Sequence, residues 1–252
     1  MKKNKKIFVC LIGLFALLLV SCSTNSSKKK ANSLPSAKTI LTNAQKNKFN
    51  SMHVNWMENT AGKTTQEAEA QYVKNPTVVY ANVSTPSNHY KMWIEGKNNY
   101  IQIKSTITNL FFKTKLTKNS TYSVLIDSLN SMLVPFIDAS KNFKVKQNGN
   151  DYALIYKGNN KKIWNAITSD SAVTALIGIN LDDVKPINNE IQIDVEKNYS
   201  INDVKVSSTY KDDAKKKTFT MNADQINQIK TLSVPTSIKK NAVDLGKLNK
   251  NH

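Results

Sequence analysis

Runs in which apolar and polar residues alternate constrain the fold of this chain more than any other feature. In the first run, Met52, Val54 and Trp56 alternate with His53 and Asn55. Such a period of two is typical of strands that bury one face and leave the other in water. The turns between neighbouring runs are too short for helical crossovers, which indicates an antiparallel meander. Similar runs occur at residues 68–72, 90–94, 191–195, 204–206 and 219–221.

Three further segments have helical spacing of their apolar residues, namely 36–44, 122–137 and 161–177. In the second segment Pro135 falls in the last predicted turn. Between the second and third segments, Asn148-Gly149 joins two predicted strands and is a strong hairpin signal. The polar segment that follows residue 234 is expected to wrap the surface.

These elements predict an α+β fold. We expect a large curved antiparallel sheet, a half-barrel of about 10–11 strands, because an open sheet this wide curls or splits. The helices that interrupt the runs of strands would cover its concave face.

The first residues are typical of an export signal. Four lysines within residues 2–6 precede an apolar run of 14 residues at 7–20. That run is short for a spanning helix, which needs roughly 20 residues, and suits the apolar region of a signal peptide. It ends in Ser21-Cys22, which resembles the bacterial lipobox, whose cysteine is lipidated and becomes the first mature residue. The alternatives are an ordinary signal peptide and an uncleaved anchor helix.

The expected organisation is therefore a signal peptide at 1–21, a lipidated flexible tether at 22–36 and a single folded domain at 37–252. Two acyl chains on Cys22 would anchor the protein stably to the extracytoplasmic face of the cell membrane. Lysines 28–30 would lie near an anionic membrane and strengthen the attachment. The alternative is that they belong to a solvated linker without that role.

The composition limits the classes of ligand and partner that this chain is expected to bind. The 252 residues include 36 Lys and no Arg against 18 Asp and Glu, so the formal net charge is +18. This charge suits anionic polymers of a cell envelope, whereas nucleic acid is not expected because no Arg is present to read guanine. Only three His and two Cys occur, and no glycine-rich phosphate loop is found, so neither a metal nor a cofactor is expected.

Signals for catalysis are weak. No G-x-S-x-G motif is present. His53 and His89 fit surface positions on or beside strands. Glu67 and Glu69 would lie on one side of a strand, roughly 7 Å apart. Such a pair can transfer protons or bind a cation, but exposed glutamates on a solvated sheet face are ordinary. We therefore predict no enzyme and assign no catalytic or metal-binding residue.

Prolines, a glycine and tyrosines have a regular spacing in the early predicted strands. Pro76 and Pro86 are ten residues apart, Gly96 follows after ten more, and Tyr100 after four. Asn75, Tyr80 and Glu95 complete the pattern, and a predicted helix precedes it. This pattern resembles the early strands of bacterial lipoprotein carriers of the LolA type, in which a helix also comes first. The layout is also similar to that of mycobacterial lipid-binding lipoproteins of the LppX and LprG type.

This resemblance implies a half-barrel closed by helices over an apolar cavity that takes a lipid. The carriers use an Arg on these strands in their release cycle, and this chain has none, so the resemblance does not extend to a lipoprotein shuttle. The function expected is a membrane-anchored lipoprotein that binds a lipid or other hydrophobic ligand for transfer, presentation or sensing. The alternative is a structural or interaction lipoprotein of the envelope, with a basic surface and no ligand cavity.

The candidate ligand-binding residues are the apolar ones expected on the concave face, each of which could instead be plain core. They are Met52, Val54, Trp56, Tyr90, Met92, Ile94, Ile101, Ile103, Leu125, Leu129, Met132, Ile191, Ile193 and Val195.

Overall fold

The alternating runs form one sheet. The computed structural model describes residues 33–103, 110–116, 132–168 and 184–248, and these contain twelve strands. They are β1 (Ser51–Thr60), β2 (Lys63–Val73), β3 (Val78–Ser84), β4 (His89–Glu95), β5 (Asn98–Ile103), β6 (Phe112–Lys115), β7 (Lys144–Asn148), β8 (Asp151–Gly158), β9 (Lys185–Val195), β10 (Ile201–Asp212), β11 (Lys215–Asp224) and β12 (Val243–Asp244).

The strand order is β12-β6-β5-β4-β3-β2-β1-β11-β10-β9-β8-β7. Two runs of sequentially paired strands, β1 to β6 and β7 to β11, therefore meet where β1 pairs with β11. The pairs are antiparallel except for β12 with β6, which is parallel. The α+β fold with a large curved half-barrel sheet, predicted from the sequence, is confirmed.

Five α-helices are described: α1 (Ala37–Lys46), α2 (Val134–Asp138), α3 (Lys161–Thr168), α4 (Thr236–Asn241) and α5 (Leu245–Leu248). A 3₁₀ helix at Ser140–Asn142 follows α2. Helix α1 begins where predicted because the Ser36 hydroxyl caps it, accepting a hydrogen bond of 3.1 Å from the Thr39 amide. None of the described helices is both long and apolar enough to cross a membrane.

Of the helix predicted at residues 122–137, residues 134–137 are helical, but they belong to a short helix that begins only at Val134. Residues 122–131 lie outside the described ones, and Met132 and Leu133 form a turn before α2. Pro135 lies in the first turn of α2 rather than in a last turn. Proline favours the first turn, where its missing N–H has no intrahelical partner to lose. Of the third predicted helix, residues 161–168 are helical and 169–183 lie outside the described residues.

The polar segment that follows residue 234 is more ordered than expected. It forms α4, β12 and α5, and β12 adds a parallel edge strand beside β6. The Val243 amide donates to the Phe111 carbonyl at 2.9 Å. Lys239 in α4 pairs with Glu95 at 2.6 Å, which ties the segment to the end of β4.

One face of the sheet packs against the helices, and we call it the helix-covered face. Ile40 and Leu41 of α1, Phe136 of α2, and Ile163 and Trp164 of α3 are buried in one core with the apolar strand residues. The other face, which carries the alternate side chains of each strand, is called the open face. The described residues from 34 onward form one compact unit.

Candidate functional site

The strand residues predicted to bind a ligand share the helix-covered face. Across the sheet, Trp56 lies opposite Ala68 and Met221, and Met92 lies opposite Ala81 and Ile101. Because side chains alternate along a strand, the register puts the candidates of β1, β4, β5 and β9 on one surface. The structure therefore places these strand residues on one face, and their binding of a ligand stays a prediction.

Their burial divides them into two groups. Met52, Trp56, Ile94, Ile191, Ile193 and Val195 are buried, whereas Val54, Tyr90, Met92, Ile101, Ile103 and Met132 are only half-buried. Partial burial raises the pKa of Tyr90 above its ordinary value. Cys22, Leu125 and Leu129 lie outside the described residues. Apolar surface therefore remains partly accessible on β4 and β5, while the centre of the sheet is closely packed.

One end of the helix-covered face is polar. Asn189 of β9, Ser208 of β10 and Glu58 of β1 lie in one cross-strand row, with Phe219 of β11 between the last two. All four are at most 2% exposed. We call Asn189, Ser208 and Glu58 the polar row.

The Glu58 carboxylate is fully engaged. The Tyr210 hydroxyl donates a hydrogen bond to it, and the Thr65 hydroxyl donates another at 3.0 Å. Lys217 lies 3.4 Å from the same carboxylate and 2.8 Å from Asp212. Paired in this way, a buried carboxylate avoids the large penalty of an isolated charge.

Two pKa shifts follow from this network. Burial, and then the hydrogen bond and charge of Glu58, raise the pKa of Tyr210. Burial would lower the pKa of Lys217, but the hydrogen bond to Asp212 and the charges of Glu58 and Asp212 outweigh it, so that pKa is raised. Because both pKa values are raised, Tyr210 and Lys217 keep their protons near neutral pH. This is typical of a structural network rather than of a group that exchanges protons.

The other two members of the polar row lack hydrogen-bond partners among the described residues. Asn189 is 0% exposed and Ser208 is 1% exposed, and they lie directly opposite each other on paired strands. In the described part of the chain, no group bonds to the amide oxygen or nitrogen of Asn189 or to the Ser208 hydroxyl. Such groups are rare because buried polar atoms are nearly always hydrogen-bonded.

Sequence reasoning missed the polar row, although a signal for it exists. Glu58, Asn189 and Ser208 fall on the apolar phase of their strands, two residues from Trp56, Ile191 and Val206 respectively. A polar residue on that phase is expected to be buried, and therefore to need either a partner or a ligand.

Two cavities open on the open face, opposite the side on which the ligand was expected. The larger, of about 500 Å³, is bordered by strands β1 and β8 to β11, including Asn55, Met57 and Gln192. The smaller, of about 350 Å³, shares Asn55 and Met57 and extends over β2 to β4, including Glu67 and Glu69. The two share residues of β1, and although many of their side chains are polar, the lining of the larger cavity is mostly apolar surface.

His53 lies on the open face between two carboxylates. Its ring nitrogens are 2.8 Å from Asp224 and 3.3 Å from Glu69, and only 14% of its side chain is exposed. The position on the polar phase was predicted, but the low exposure was not. Within the described residues no cluster of three or more His, Cys, Asp or Glu side chains could hold a metal ion.

Two tyrosines of the carrier-like pattern also lie on the open face. Tyr80 contacts Trp93 with ring centroids 4.7 Å apart, and Trp93 pairs across the strands with Tyr100. Pro86 and Gly96 lie in the turns that flank β4. The spacing in the sequence therefore reflects strand and turn lengths of this part of the sheet.

Comparison with known proteins gives fold-level similarities alone. No protein-family model and no curated protein sequence matches this chain. A DUF1329 family protein from Desulfovibrio piger is 7% identical, with a TM-score of 0.26 over 78% of this chain and 93% of its own. A LolA superfamily protein from Nitrosomonas europaea is 8% identical, with a TM-score of 0.23 over 81% of this chain and 97% of its own. With TM-scores this low, neither similarity indicates what this chain binds.

Proposed function

We propose that this protein is a lipid-anchored, extracytoplasmic binding protein that holds a lipid or other hydrophobic ligand against the helix-covered face. The observation that carries the proposal is the half-buried apolar group on β4 and β5, formed by Tyr90, Met92, Ile101 and Ile103. Apolar side chains that keep partial exposure on an otherwise buried face favour an apolar ligand.

Such a site can bind a lipid without hydrogen bonds from polar side chains, because burial of the alkyl chain supplies the binding free energy. Burying an alkyl chain contributes about 0.8 kcal/mol per CH₂, so a sixteen-carbon chain would gain roughly 12 kcal/mol before binding costs. Methionine at position 92 suits loosely specified contacts, because its side chain is flexible and polarisable. The proposal therefore concerns binding for transfer, presentation or sensing, and it assigns no reaction.

Direct detection of a ligand tests the proposal. The full chain with Cys22→Ser, which removes the proposed lipidation site, would be purified and examined by native mass spectrometry. We expect co-purified lipid, or uptake of a fluorescent fatty acid by the emptied protein. A protein that carries no lipid and takes up no fatty acid would contradict the proposal.

A matched pair of variants locates the site. Met92→Gln places an amide among the half-buried apolar side chains, whereas Lys91→Gln places the same amide one residue away, where Lys91 is exposed. We expect the first variant to weaken fatty-acid binding about ten-fold and the second to leave it unchanged. Equal affinities of the two variants would place the ligand elsewhere.

The high positive charge favours a second candidate, an envelope lipoprotein that binds anionic wall polymers or a partner protein. All of the 36 basic residues are lysines, and they exceed the acidic residues two to one. Binding of this kind weakens steeply with salt, because the charges involved are exposed. Retention on an anionic wall polymer at low salt, released by about 0.5 M salt, together with absence of bound lipid, would favour this candidate.

A further inference from the structure

The helix-covered face changes character along its strands. From Asn189, β9 continues with Ile191, Ile193 and Val195 on the same face, all at most 2% exposed. From Ser208, β10 runs back through the apolar Val206. At about 3.4 Å per residue, the distance from Asn189 to Val195 is about 20 Å. The surface is therefore polar at one end and apolar over the remaining length of the strands.

We propose that Asn189 and Ser208 form a subsite for the neutral polar head of an amphiphile bound to the helix-covered face. This inference rests on the proposed function and specifies the ligand class for that same face. Its basis is the pair of adjacent, fully buried side chains whose three polar atoms have no hydrogen-bond partner within the residues that the structure describes.

The side chains define what the head must offer. Asn189 provides one acceptor oxygen and a two-hydrogen donor, and Ser208 provides one hydroxyl that both donates and accepts. A head group that satisfies them needs a donor and an acceptor within a few ångströms of each other. A hydroxyl, a primary amide or the hydroxyls of a glycerol ester meet this requirement, whereas an ether or a bare alkyl end does not.

The charges nearby disfavour an anionic head relative to a neutral one. Glu58 lies in the same row, two strands from Ser208 and so about 10 Å away. Lys217, the cation next to it, is already paired with both Glu58 and Asp212. Phe219 separates Ser208 from Glu58, so little solvent screens the carboxylate. A carboxylate or phosphate head would be repelled without a compensating partner.

The first test compares head groups on one tail. Hexadecanol, hexadecanamide, palmitate and hexadecyl methyl ether would each displace a fluorescent fatty alcohol from the full chain carrying Cys22→Ser. We expect hexadecanol and hexadecanamide to bind about ten-fold more tightly than the ether or palmitate. Equal binding of all four would overturn the subsite and leave the proposed function intact, whereas binding of none would overturn both.

The second test removes the subsite. Asn189→Leu with Ser208→Ala should abolish the preference for hexadecanol and hexadecanamide while keeping affinity for the ether. The matched control is Asn188→Leu with Ser207→Ala, which changes the preceding residues on the same strands, where the side chains are on the open face. The control should keep the preference.

The alternative explanation, a water trapped between Asn189 and Ser208, predicts a different result. If the orphaned pair only holds a trapped water, the Asn189→Leu and Ser208→Ala variant would be as stable as the parent or more so, with the order of head groups unchanged. That result would overturn the inference. Should this variant fail to fold, the comparison of head groups on the parent protein decides by itself.

Discussion

Ala61 and Gly62 connect β1 to β2 in a conformation that suits only one of them. Thr60 pairs with Lys63, so the turn has two residues, and their φ angles are +51° and +77°. Two positive φ angles define the type I′ hairpin turn, which favours Asn-Gly. Glycine adopts this conformation freely, whereas the Cβ of alanine is crowded in it.

Ala61→Asn should therefore stabilise the protein by about 0.5–1 kcal/mol, because asparagine tolerates positive φ better than alanine. Urea unfolding would measure the change. Ala61→Val serves as the opposite control and should lower the free energy of unfolding, since a branched side chain is strained there. An unchanged or lower midpoint for the asparagine variant would contradict the turn assignment.

The buried network around Glu58 predicts how stability depends on pH. The ordinary pKa of tyrosine is 10.0, and that of Tyr210 in the folded protein is raised, chiefly by burial. As the pH rises through 10, the unfolded chain loses this proton and the folded protein keeps it. The unfolded state is therefore increasingly favoured, and the free energy of unfolding falls. Lys217, whose pKa is also raised, acts in the same direction.

We therefore expect the free energy of unfolding to fall between about pH 9 and about pH 11, and to fall less in Tyr210→Phe. Urea titrations at several pH values would measure both slopes. Identical slopes in the two proteins would contradict the assigned protonation of Tyr210.

At the scale of elements, the sequence predicted the strands well because their periodicity is strong. It also predicted the hairpin at Asn148-Gly149, where Asn148 pairs with Asp151 and Gly149 has a φ of +62°. Strand β12 was missed because two residues are too few to show a period. The polar row was missed because alternation reports which face a residue takes and not whether its hydrogen bonds are satisfied.

Strand β12 is short, so its contribution to the sheet depends on few bonds. Val243→Pro removes the amide that donates to Phe111, whereas Val243→Thr keeps it. We expect the proline variant to speed amide hydrogen exchange in β5 and β6 and to lower stability by about 1–2 kcal/mol. The threonine variant should remain within about 0.5 kcal/mol of the parent. Unaltered exchange in the proline variant would show that β12 does not stabilise that edge.

At the scale of the whole molecule, a basic folded unit would be held at a membrane by the proposed lipid on Cys22. Two acyl chains bind a bilayer stably, whereas a lysine-rich segment alone attaches weakly and is released by salt. Loss of the lipid on Cys22 would therefore release the protein from the membrane without altering the stability of the folded unit.

Cys22→Ser should move the protein from the membrane fraction to the soluble fraction of the producing cell. The melting temperature should stay within about 2 °C of that of the detergent-solubilised parent, since a substitution in the proposed flexible tether is expected to be nearly neutral. Fractionation followed by intact mass measurement checks both the location and the missing lipid. Retention of the serine variant in washed membranes would point to the uncleaved anchor helix instead.

The pairing of β1 with β11 also determines how far this protein can be shortened. Each of these strands has ten residues, and each bonds on its other side to a neighbour from its own half of the chain. A fragment ending before β7, or one starting there, would therefore present a full-length strand whose backbone amides and carbonyls lack partners. Such an edge pairs readily with a second copy, so halves of this protein are expected to self-associate rather than remain as isolated binding units.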